Sequence, residues 1–100
     1  MVYDPGALNA SLAAAVGADP VLMAELRVAF VESAARQVDL MARSRCDANW
    51  QFAASRLKSL AASFAAVGMM ALADEALEGA PGDPVVLRKI RAAINDFAIA

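Results

Sequence analysis

The chain contains no histidine. That absence excludes imidazole metal ligands, Ser-His and Cys-His activation of a nucleophile, and any acid–base step carried by an imidazole. Cysteine is limited to Cys46, which excludes an internal disulfide and a multi-thiolate metal site. There is no basic excess: nine Lys and Arg against eleven Asp and Glu leave a net charge of −2. Broad nucleic-acid binding needs a basic footprint to displace counterions, so this balance argues against it. Aromatics make up 6% of the chain, and no run approaches the ~20 apolar residues of a membrane span. The opening MVYDPG places Asp4 where a secretory leader needs a basic flank. These absences predict a cytoplasmic, non-enzymatic domain with no cofactor or metal, binding neither nucleic acid nor membrane.

What the chain does have is alanine, which supplies 26 of its 100 residues and much of its 60% hydrophobic content. Alanine loses no side-chain entropy on folding and buries no polar group, so it favours helix. One hundred residues suit a single domain over 1–100, with roughly 60–70% of the unfolded surface buried on folding. Asp4-Pro5, Asp19-Pro20 and Asp83-Pro84 each set an N-cap acceptor before a proline at the first helical position, and Asp47-Ala48-Asn49 offers a softer start. Gly17, Gly68 and Gly79-Ala80-Pro81-Gly82 stand where helix ends or loops are expected. The spacing predicts helices at about 5–16, 20–45, 48–67, 69–79 and 84–98. No β-branched alternation competes with them. The expected fold is all-α: an antiparallel up-down four-helix bundle with a short additional N-terminal helix.

Apolar spacing assigns the faces. In the last helix Val86, Leu87, Ile90, Ala93, Ile94 and Phe97 form one stripe, with Arg88, Lys89, Arg91 and Asp96 turned outward. Met69, Leu72, Ala73, Ala76 and Leu77 repeat the pattern against Asp74, Glu75 and Glu78. The long helix carries two apolar surfaces, one of Leu22, Leu26, Ala29, Phe30, Leu40 and Met41, the other of Val28, Val31, Ala35 and Val38. Two such surfaces exceed what one helix contact needs. The second is covered either by the first short helix or by another copy or partner.

Residues 50–78 are the most informative. Projected at about 100° per residue, Trp50, Ala53, Leu57, Leu60, Ala61 and Phe64 point to the core. Gln51, Phe52, Ser55, Lys58, Ser59, Ala62, Ser63 and Ala66 point the other way. That outward face has one aromatic, one lysine and otherwise mostly small side chains, so a partner could approach the helix backbone closely.

The run Ala54-Ser55-Arg56-Leu57-Lys58-Ser59-Leu60-Ala61-Ala62-Ser63-Phe64-Ala65-Ala66, followed by Leu72 and Leu77-Glu78, resembles the histidine-containing phosphotransfer (HPt) domain. That family's motif reads Ala-His-x-Leu-Lys-Gly, then small residues with a Gly-Ala pair, then a helix ending Leu-Glu. The resemblance extends to Asp19-Pro20, Phe30, Glu32, Asp47 and Trp50. It implies a four-helix antiparallel bundle with a short N-terminal helix. Three positions depart from the pattern: Ser55 stands for the phosphorylated histidine, Ser59 for the following glycine and Ala65 for a second glycine, while Leu57 and Lys58 are kept. A serine hydroxyl without a base is a poor nucleophile, and its phosphate is an inert ester.

The resemblance therefore implies a pseudo-HPt domain that docks a response-regulator receiver or a histidine kinase without carrying phosphate. Phe52, Ala62, Ala66 and the Lys58 stem would be its apolar part, with Gln51, Ser55, Ser59 and Ser63 as hydrogen-bonding neighbours. Lys58 and Arg56, with Arg43 and Arg45, would steer it toward a receiver's acidic pocket. The alternative is a scaffold bundle resembling the dimerisation domains of histidine kinases and related phosphotransferases, a possible homodimer. An enzyme built on Cys46 or Ser55 would lack a base, although Arg45 lies beside Cys46.

Overall fold

The computed structural model describes residues 19–99, so the helix expected at 5–16 and its Asp4-Pro5 start lie outside the described residues. The described chain forms four helices and no strand: α1 (Pro20–Arg43), α2 (Asp47–Ser63), α3 (Val67–Glu78) and α4 (Pro84–Ile99). The two Asp-Pro devices work as their chemistry requires. The Asp19 carboxylate accepts hydrogen bonds from the Val21 and Leu22 amides at 3.0 and 3.2 Å, and Asp83 accepts from Val85 at 2.9 Å. Each satisfies amides that have no partner within the helix. The α2 start differs: Cys46 is the capping residue without a side-chain bond, and Asp47 lies inside the first turn, where its charge complements the helix dipole.

α1 packs on α2 and α4, and α3 packs on the same two, so each helix has two principal neighbours around one core. The connections at 44–46, 64–66 and 79–83 are short. The α4 stripe is buried at all six expected positions, and Met69, Leu72, Ala73 and Ala76 of α3 are fully buried. Aromatic rings fill the centre, with Phe30 5.0 Å from Phe64 and 5.5 Å from Phe97 between centroids. Edge-on and tilted arrangements of this kind suit the ring quadrupole.

Three expectations are corrected. On α1 the core stripe is Phe30, Ala34, Val38 and Met41, with Met23, Leu26 and Val31 packed at its edge. Val38 thus belongs to the core, while Leu22, Ala29 and Leu40 are exposed. The face between α2 and α4 selects a narrower stripe than apolar spacing alone. Gly68 is a buried residue inside α3 and not a loop glycine. Most consequentially, α2 ends at Ser63, four residues before its expected end.

The early stop is made by a left-handed turn at Ala65, φ 54°. The Ala66 amide donates to the Ala61 carbonyl at 2.8 Å and the Ala65 amide to Ala62 at 3.1 Å, satisfying the last carbonyls of α2. The left-handed region costs an L-residue roughly 1–2 kcal/mol, part of which glycine would lose again through its freer unfolded chain. Ala65→Gly is therefore expected to stabilise the protein by about 0.5–1 kcal/mol. The check is a higher urea midpoint at unchanged slope; a lower midpoint would show that the turn carries no strain.

Candidate docking face on the second helix

α2 turns Trp50, Ala53, Ala54, Leu57 and Ala61 inward and leaves a long strip outside. Ala54, fully buried, is a core member that the helical projection of Trp50 and Leu57 omitted. Along the strip Gln51, Phe52, Ser55, Ser59, Ala62 and Ser63 are exposed and Lys58 is half-buried. Phe52 is 62% exposed, an unusual state for the larger of the strip's apolar side chains. Ala66 does not join them. It is buried, because the projection that placed it outside assumed a helix continuing past Ser63, and the Ala65 turn swings it inward.

The polar groups of the strip are not equivalent. The Ser63 hydroxyl donates to the Ser59 carbonyl at 3.0 Å, a local bond along the helix. The Ser55 hydroxyl has no hydrogen-bonded base among the described residues. Lys58 Nζ lies 2.7 Å from Asp74 Oδ1 of α3, with both side chains nearly half exposed. A pair of this exposure contributes ~0–1 kcal/mol, but it neutralises the cation expected to face a partner. Arg56 instead lies over the Phe52 ring, its guanidinium carbon 5.5 Å from the centroid, a favourable cation–π distance.

At the α1 edge of the strip, Leu40, Arg43, Ser44, Asn49, Phe52 and Ala53 line a groove of about 370 Å³. Leu40 is 44% exposed there. Its contribution was hidden in the sequence because an apolar residue beside Met41 reads as core. Arg43 Nε donates to the Asp39 carbonyl at 3.4 Å, and the Ser44 hydroxyl to the Leu40 carbonyl at 2.7 Å, closing the end of α1 over this groove.

Cys46 is exposed at the α2 start. No cluster of three His, Cys, Asp or Glu side chains that could hold a metal exists among the described residues. No described helix is long and apolar enough to cross a membrane. The face therefore offers shape, hydroxyls and guanidinium groups, without an assembled nucleophile and base. No protein-family model matches the chain, and neither a curated protein nor a solved structure matches it.

Proposed function

We propose that this chain is a non-catalytic docking module of phosphorelay signalling, a pseudo-HPt bundle whose α2 strip seats a receiver domain or histidine kinase. The observation that carries the reading is the placement of Ser55 and Ser59. Two of the three positions at which the chain departs from the phosphotransfer motif are exposed on the strip that also carries Phe52 and half-buried Lys58. A carrier residue has to lie on such a strip to be reached, and a hydroxyl there keeps the surface while removing the imidazole. Small side chains at Ser55, Ser59, Ala62 and Ser63 leave low relief around one aromatic, a surface that a partner helix can approach closely.

The test is calorimetric titration of this chain against purified receiver and histidine-kinase domains from the same cell. Binding by at least one is expected, and Phe52→Ala should weaken it about tenfold or more, as loss of an aromatic anchor does. The same substitution should leave folding stability within about 1 kcal/mol, because Phe52 is exposed. Absence of binding to every such domain would overturn the reading.

A second reading, a homodimer, is favoured by α1, where Val21, Leu22 and Val28 are 66%, 39% and 55% exposed. Light scattering decides it: a monomer at all concentrations removes that reading.

A further inference from the structure

We infer that the docking face reads an acidic partner surface at the α1–α2 groove, through Arg43 and Arg56, and not at the motif lysine Lys58. The inference rests on the docking reading above and adds the chemistry of the partner: an apolar side chain flanked by carboxylates.

The argument begins with where charge has been left unpaired. Residues 40–66 carry Arg43, Arg45, Arg56 and Lys58 against Asp47 alone, within a chain of net charge −2. Four cations against one carboxylate leave this stretch with an excess of positive charge in an acidic protein. Of the four cations only Lys58 is ion-paired among the described residues, through Asp74.

Helix geometry separates the two kinds of cation. Positions 52 and 56 lie four apart and share an edge of α2, whereas position 58 falls on the opposite edge of the exposed strip. The first edge borders α1, where Phe52 lines the groove with Leu40 and Arg43. The second borders α3, from which Asp74 reaches Lys58. The carboxylate of α1 closest in sequence, Asp39, lines a separate groove toward α4 with Arg91 and Asn95.

The groove itself supplies the apolar component. Leu40 and Phe52 stand exposed on its two walls, and Arg56 rests on the Phe52 ring. A guanidinium on an aromatic face retains in-plane donors for carboxylates. An apolar anchor between Leu40 and Phe52, with acidic groups on Arg43 and Arg56, would use the whole end of the face.

The experiment uses the receiver or kinase domain that binds in the titration above, at low and physiological salt. Arg43→Glu should weaken binding at least tenfold and flatten its salt dependence, and Leu40→Ser should weaken it several-fold. Lys58→Gln should change it less than twofold. Thermal melts establish that each variant is folded. The reverse pattern, a large loss for Lys58→Gln with Arg43→Glu and Leu40→Ser unchanged, overturns this inference and leaves the docking reading standing. Unchanged affinity in all three variants does the same. If no receiver or kinase domain binds the wild-type chain, the docking reading and this inference fall together.

Discussion

Trp50→Ala is expected to destabilise the protein by about 3–5 kcal/mol, the usual cost of truncating a buried tryptophan. Trp50 is 1% exposed and sits at the start of α2. Its indole Nε1–H donates to the Ala76 carbonyl at 2.8 Å, near the end of α3. The same carbonyl accepts the Gly79 amide at 3.1 Å, so the indole fastens the first turn of α2 to the closing turn of α3. Removing it opens a cavity and severs that link. A domain of this size has about 5–15 kcal/mol of stability, so the variant should unfold at markedly lower urea, and its melting point should drop by roughly 15 °C or more. Trp50→Phe keeps most of the apolar volume and should cost only about 1–2 kcal/mol, since the Ala76 carbonyl retains the Gly79 amide. If Trp50→Phe is as stable as the wild type, the indole hydrogen bond contributes nothing, and a loss under about 1 kcal/mol for alanine would contradict the packing itself.

The second large effect concerns chemistry. Following the docking reading, the wild-type chain should accept no phosphoryl group from a kinase or phosphorylated receiver, because Ser55 has no base bonded to it and no histidine exists in the chain. Ser55→His with Ser59→Gly should change that from none to detectable. Position 55 is exposed, so an imidazole fits without disturbing the core, and glycine at exposed position 59 clears space one turn away. On transfer, the bond from phosphorus to the aspartyl oxygen of the receiver breaks, a nitrogen–phosphorus bond forms, and the carboxylate leaves. Acid-labile, base-stable phosphate on the double variant is the readout. Since Asp74 holds the Lys58 charge, adding Asp74→Asn should raise the yield by freeing the ammonium to face the phosphoryl oxygens. Glycine inside α2 costs about 1 kcal/mol of helix stability, which a melt will show. A double variant that folds, binds its receiver and stays unphosphorylated would mean that the register of 54–60 or the docking face is wrong. Acid-labile phosphate on the wild type would refute the non-catalytic reading directly.

Much of the architecture was legible because its signals are local. Asp19 and Asp83 cap through amides two or three residues away, so Asp-Pro marks a helix start wherever the chain goes next. The α4 stripe was legible because one helix period covers the whole of its buried side. The exposed strip of α2 was legible up to Ser63 for the same reason. Beyond it the projection failed at Ala66, since nothing in an alanine pair says that the second alanine's predecessor adopts a left-handed conformation. Apolar identity also failed to sort α1. Leu40 and Val38 are both aliphatic, yet Val38 is buried and Leu40 forms a groove wall, because only the positions of α2 and α4 decide which side of α1 is covered.

The sequence by itself determined the helical class, the helix starts at Asp19-Pro20 and Asp83-Pro84, the absence of imidazole and multi-thiolate chemistry, and the row of small residues that α2 turns outward. These follow from propensity, capping and periodicity within a few turns of chain. Tertiary structure alone decided where charge is available on that row. Lys58 and Asp74 are sixteen positions apart in the chain and meet only because α2 and α3 pack together. Arg56 stays with Phe52 on the edge that faces α1. Coulomb attraction acts through space, so Lys58 is paired with a residue that no spacing rule along the chain would have matched to it.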